Sequence, residues 1–128
     1  GVTIERFVKG GRETIIGVSQ DPSFGPVIMF GLGGIYVEAL RDVTFRVQPV
    51  SDIDADEMIR SIRGFRLLQG MRGEAPSDLA ALREVIQRVS QLVGDHPHII
   101  EMDINPFVVF EHGGVAVDAR IRVERHAV

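Results

Sequence analysis

The sequence predicts an α+β fold: a mostly antiparallel sheet with two main helices packed on one face. Three observations carry this. About seven short β-prone stretches are bounded by Gly, Pro and Asp turn residues. The apolar period changes from two to about 3.6 only in the middle of the chain. The helical stretches are grouped there instead of alternating with strands, which favours α+β over a doubly wound parallel sheet. The 128 residues form one domain, residues 1–128, long enough to bury a core.

Val2, Ile4, Phe7 and Val8 make the first β-prone stretch, broken by Gly10-Gly11. Thr14 to Ser19 returns, and Asp21-Pro22-Ser23 is a turn cluster. Val27 to Phe30 is a third strand, with Gly31, Gly33 and Gly34 at its exit. Tyr36 to Leu40 and Thr44 to Val47 are two more. Ala55, Met58, Ile59 and Ile62 then recur at helical spacing, capped by Ser51 or Asp52 and stopped by Gly64. After a connection from Gly70 to Pro76 comes a second helix. Ser77 caps it, Asp78 suits its positive end, Leu79, Leu82, Ile86, Val89 and Val93 form its buried stripe, and Gly94 sits at C′. Ile99 to Phe110 and Val115 to Ile121 close the chain as a hairpin around Glu111-His112-Gly113-Gly114.

Composition narrows the function. With no cysteine there is no disulfide framework, zinc finger or thiol nucleophile. A net charge of −4 argues against a nucleic-acid domain. The single lysine, Lys9, follows no phosphate-loop glycines. No apolar run is long enough to span a membrane and no charged-then-apolar leader opens the chain, so a cytoplasmic location is expected. Opening on Gly1, straight into an apolar-alternating stretch, gives the expectation of a piece of a longer protein. His96, His98, His112 and His126 lack the spacing of a metal set, and no Ser/His/Asp arrangement is present.

The last hairpin is the most informative segment. In Glu101-Met102-Asp103-Ile104-Asn105, the three polar residues share one face and the two apolar residues the other. Pro106 holds Asn105 extended and removes a donor, which predicts an edge or a bulge. If residues 111–114 are the loop, Phe110 faces Val115, Asn105 faces Arg120, and Asp118 lies diagonally from Asn105 on the same face, roughly 7–8 Å away. An amide oxygen and a carboxylate there can share a hard cation, magnesium or manganese. The same residues also fit a solvated polar strand face with a loop-stabilising Asn-Pro, and the pattern alone favours that second reading. The glycines after Phe30 can admit phosphates or mark a sheet corner. Glu13, near a strand start, reads by itself as surface charge.

Five segments in order have a family likeness: Glu5-Arg6-Phe7-Val8, Gly11 to Gly17, Phe24 to Gly34, Asp103-Ile104-Asn105-Pro106 and Val117-Asp118-Ala119-Arg120. Together they resemble the ATP-grasp domain of NDP-forming acyl-CoA synthetases, including ADP-forming acetyl-CoA synthetase and, more distantly, the succinyl-CoA synthetase β subunit. The resemblance covers the C-terminal lobe of that domain. It implies that Glu5 and Val8 lie on the adenine-contacting hinge, that Glu13 faces the ribose, and that Gly33 and Gly34 lie near the phosphates. It also implies that Asn105 and Asp118 are the magnesium ligands, which decides between the two readings of the hairpin. ATP or ADP is then a substrate and Mg2+ (or Mn2+) the cofactor.

The implied parent is an acid–CoA ligase (ADP-forming), working through acyl phosphate and phosphohistidine. The ATP-grasp N-terminal lobe and CoA-binding domains are the expected partners, with no nucleic acid and no membrane. By itself the fragment is expected to be inactive. Two alternatives are a ligand-sensing synthetase-like module fused to a bacterial protein lysine acetyltransferase, and a non-catalytic interaction module.

Overall fold

The computed structural model describes residues 11–33, 42–70 and 73–124. The expected strands at Val2 to Val8 and Tyr36 to Leu40, and with them Glu5, Val8 and Gly34, lie outside the described residues. Within those described, an antiparallel sheet carries helices against one face, as the sequence predicts.

Strands β1 (Arg12–Asp21) and β2 (Gly25–Leu32) form the first hairpin. Asp21 Oδ1 accepts the N–H groups of Ser23 at 2.8 Å and Phe24 at 3.0 Å, so the side chain mimics the backbone of a turn. Gly25, at φ 79°, supplies the left-handed step back into β2. β3 (Val43–Val47) adds to β2. Ile16, Val18, Ile28 and Phe30 point into the core, while Glu13, Ile15 and Met29 alternate to the opposite face, where Ile15 is buried too.

Helix α1 (Asp52–Ser61) opens on a reciprocal capping box. Ser51 Oγ accepts the Asp54 N–H at 3.0 Å, and Asp54 Oδ2 accepts the Ser51 N–H at 3.1 Å. Of the two cap candidates, Ser51 is the one used. Ala55, Met58 and Ile59 face the core as predicted, but Ile62, not Gly64, is the C-cap. A short helix α2 (Phe65–Gln69) follows that periodicity did not indicate, since five residues are too few to show a stripe.

Helix α3 (Leu79–Asp95) buries Leu82, Ile86, Val89 and Val93. Asp78, not Ser77, is its N-cap, accepting the Ala81 N–H at 3.0 Å. Gly94 lies inside the helix and not at C′, because His96 caps the end through its N–H to Leu92 O at 3.0 Å. The glycine is there for packing: a Cβ at Gly94 would overlap the Gln48 amide. α1 and α3 pack on each other and on β2, β3 and β4.

β4 (Ile99–Val109) pairs with β1 on one side. Its other side is shared by β5 (Gly114–Ala116) and β6 (Ala119–Val123). The predicted single strand Val115 to Ile121 is therefore two, broken at Val117-Asp118 opposite Asn105-Pro106. The sheet order is β3-β2-β1-β4-β5, with β6 also on β4. β4 is interior, so Pro106 marks a bulge and not an edge: the β1–β4 register shifts between Thr14 and Ile16.

Candidate functional site

The sheet face opposite the described helices collects the candidate residues that lie within the described chain. Ile104 is buried on the core side, so alternation places Asn105 on the opposite side, and Asn105 is exposed. Ile104 opposes Ala119, hence Asn105 opposes Asp118 directly. The Asn105 N–H donates to Asp118 O at 3.0 Å, and the Val117 N–H to Pro106 O at 3.0 Å.

This corrects the expected register. Val115 faces Val108, not Phe110; Arg120 faces Asp103, not Asn105; and the loop is residues 110–113, not 111–114. Both loops hold four residues, so parity is kept and the two ligand candidates come closer. Directly opposed residues have Cβ atoms about 4.5–5.5 Å apart, against roughly 7–8 Å for diagonal ones. A signal in the sequence pointed to the observed register: it sets Glu101 against Arg122 and Asp103 against Arg120. The expected one sets Glu101 against Glu124. The Arg122 guanidinium indeed lies 3.1 Å from the Glu101 carboxylate.

Glu13 and Gly33 form a second pair. The Gly33 N–H donates to Glu13 O at 2.8 Å, extending the β1–β2 ladder by one rung. A Cβ on Gly33 would stand 3.1 Å from Glu13 Cβ and 3.2 Å from its carbonyl carbon, so glycine permits the close approach. The Glu13 side chain is exposed, and its neighbour on β4 is Val108. Arg12 turns to Glu74, at 3.4 Å, so a pairing of Glu13 with Arg12 is not what occupies that arginine. Because the bulge sets three residues of β4 against two steps of β1, Glu13 and Asn105 lie about two residues apart along the sheet and one strand across, roughly 8 Å between Cα atoms at ~3.3 Å per residue and ~4.8 Å per strand.

Two supporting carboxylates were not among the candidates. Asp42, 7 % exposed, accepts the Arg63 N–H at 2.6 Å and the Gly64 N–H at 2.7 Å, tying the start of β3 to the α1–α2 turn. Asp78 Oδ2 accepts the Gly113 N–H at 2.7 Å while its own N–H donates to Phe110 O at 2.7 Å. The N–H groups of Gly113 and then Ala81 hold the Asp78 carboxyl below the usual carboxylate range. Polar side-chain type alone marks neither residue; their partners lie 21 and 35 positions away.

The donor set at Asn105 and Asp118 suits a hard cation: one amide oxygen and one carboxylate, with no sulfur or imidazole. Among the described residues no group of three or more His, Cys, Asp and Glu side chains converges. Two protein oxygens suit magnesium, which takes its remaining ligands from phosphate and water.

The sequence profile of a family described as an ATP-grasp domain matches residues 1–123. The chain is 59% identical over 113 residues to a 4-hydroxybutyrate–CoA ligase (ADP-forming) of Nitrosopumilus maritimus, covering 88% of this chain and 16% of that protein. It is 50% identical over 121 residues to the beta subunit of acetate–CoA ligase (ADP-forming) I of Pyrococcus furiosus, covering 94% of this chain and 52% of that one. Its fold superposes with a TM-score of 0.86, at 45% identity, on the dinucleotide forming acetyl-coenzyme A synthetase 1 of Ca. Korarchaeum cryptofilum. That structure holds coenzyme A and Mg-AMPPCP, and the match covers 89% of this chain and 54% of that chain. The chain thus spans about half of the beta subunit and under a fifth of the longer ligase.

Proposed function

The chain belongs to the ATP-grasp domain family, and from that premise we propose that it is the nucleotide- and magnesium-binding lobe of an acid–CoA ligase (ADP-forming). The observation that carries the reading is the direct opposition of Asn105 and Asp118 on the sheet face opposite the described helices. Their side-chain oxygens would hold the cation, Mg2+ or alternatively Mn2+. Held by these residues, the cation would supply charge neutralisation to a transferring phosphoryl group. Glu13 would accept hydrogen bonds from the ribose, and the backbone at Gly33 would border the phosphates. The spacing of Glu13 from Asn105 along the face suits a nucleotide laid across β1 and β4. The protein's own work is positional: a sheet holds sugar and metal at fixed separation, and the buried core behind it keeps that separation rigid.

The parent would contain the ATP-grasp N-terminal lobe and CoA-binding domains, pass phosphate through phosphohistidine and acyl phosphate, and join an acid to coenzyme A. The relatives described above are ligases and synthetases, which favours this over an acetyltransferase-fused sensor module. Among the described residues no helix is long and apolar enough to cross a membrane.

Asp118→Asn in the full-length protein tests the reading. It removes one charged ligand and no core volume. The magnesium concentration needed for half-maximal phosphoryl transfer should rise by about ten-fold or more, the scale known for supporting residues being a lower bound for a ligand. Unchanged rates at both limiting and saturating magnesium would refute the assignment.

A further inference from the structure

The hairpin that carries Asn105 and Asp118 offers two registers with equivalent loops, told apart locally only by exposed charge pairing. In the observed one, residues 110–113 form the loop and Gly113 takes the positive φ, at 80°. A second, two residues away, would use 111–114 as the loop and offer Gly114 for the same conformation. Both loops have four residues, both end on a glycine, and both keep every side chain on its own sheet face. They differ in what stands opposite Asn105: Asp118 in the first, Arg120 in the second. The slip moves Asp118 by two residues, about 6.8 Å along the strand at ~3.4 Å per residue. It also brings a cation where the ligand should be.

The ribbon itself resists slipping weakly. Every residue of β5 and β6 is exposed, and β5 is three residues long. The Glu101–Arg122 pair is exposed too, with side chains 57% and 65% accessible, and exposed pairs contribute at most about 1 kcal/mol.

Among the described residues, one hydrogen-bonds the loop from outside the hairpin. Asp78 binds both of its ends, through its N–H to Phe110 O and its Oδ2 from the Gly113 N–H, while Oδ1 caps α3. The helix behind it is anchored by fully buried Leu82 and Ile86. In the slipped register Gly114, not Gly113, would occupy the turn-closing position, and the bond to Oδ2 would be lost.

We propose that Asp78 is a positioning residue that selects the register of the β4–β5 hairpin and thereby keeps Asp118 opposite Asn105. The proposal rests on the metal reading above only for its functional consequence; the register claim stands by itself.

The test uses the full-length protein with Asp78→Asn and Asp78→Ala, and Asp54→Ala as the control. Asp54→Ala removes the capping box of α1, so it destabilises the domain without touching the hairpin. Site-resolved amide hydrogen exchange reads the Asn105 and Val117 N–H groups, which bond across the two critical rungs. Both Asp78 variants should expose these amides to exchange more than the control does, relative to the core amides of β1 and β2. Manganese titration in the presence of AMPPCP should show affinity weakened by about ten-fold in the Asp78 variants and unaltered in the control. Restoring a carboxylate with Asp78→Glu should recover part of both. If Asn105 and Val117 exchange no faster than in Asp54→Ala, the register proposal is overturned, whatever the metal does. If they exchange faster while manganese affinity holds in both the Asp78 variants and Asp118→Asn, the register selection stands and the metal assignment falls.

Discussion

Replacing Asp42 by alanine should cost this domain a large share of its stability, although nothing in its sequence neighbourhood marks it as structural. The carboxylate is 7 % exposed and receives two short backbone hydrogen bonds, from Arg63 at 2.6 Å and Gly64 at 2.7 Å. Hydrogen bonds to a charged group contribute about 1.5–3 kcal/mol each, and leaving a buried donor unpaired costs about 1–3 kcal/mol. The two bonds share one acceptor group and do not add fully, so about 3–5 kcal/mol is expected for Asp42→Ala. Domains of this size have about 5–15 kcal/mol in total. Asp42→Asn keeps one acceptor and presents an NH2 to the other N–H, so about half the loss is expected. Urea unfolding followed by far-ultraviolet circular dichroism measures it. With a slope of about 1–3 kcal/mol/M, the alanine midpoint should fall by more than ~1 M. A midpoint shift no larger than that of Glu84→Ala, an exposed helix position, would refute the reasoning.

Three further expectations follow from the same geometry. In the full-length protein Glu13→Ala should weaken ATP binding by roughly 1.5–3 kcal/mol while leaving the magnesium dependence at saturating ATP nearly unchanged. Calorimetric titration checks this, and equal affinities would make Glu13 a surface charge only. Gly64→Ala should destabilise by about 1–3 kcal/mol, because the added Cβ would overlap Leu32 Cδ1 and approach Asp42 Oδ2 to 3.1 Å; an unaltered melting temperature would count against that packing. On the acid side, Arg60 holds the Asp56 carboxyl below its ordinary value of 3.8, as Gly113 and Ala81 do for Asp78. Depressed folded pKa values mean that this stability is complete above about pH 4 and is lost as pH falls through the folded values. The double variant Asp56→Asn/Asp78→Asn should therefore lose less stability than wild type between neutral and strongly acidic pH, and an equal loss by urea titration would show that these carboxylates do not drive the acid limb.

Where an element's reason is local, the sequence was enough. The α3 stripe from Leu82 to Val93, a cap at Ser51 and the alternation along Glu101 to Asn105 each depend on residues a few positions apart, and each appears in the fold. The pairing of Asn105 with Asp118 on one face was readable for the same reason, because strand parity survives a two-residue error in register. What only the tertiary structure decided depends on contacts between distant parts of the chain. Helix α2 is too short to have a period and is held instead by Asp42, reaching across from the start of β3. The break between β5 and β6 answers the bulge at Asn105-Pro106, a shape set by the partner strand. The hairpin loop was degenerate locally, with two four-residue loops and two adjacent glycines, and only the exposed Glu101–Arg122 pairing favoured one register. The bond from Gly113 to Asp78, 35 residues earlier, holds it in the one that brings an amide and a carboxylate face to face.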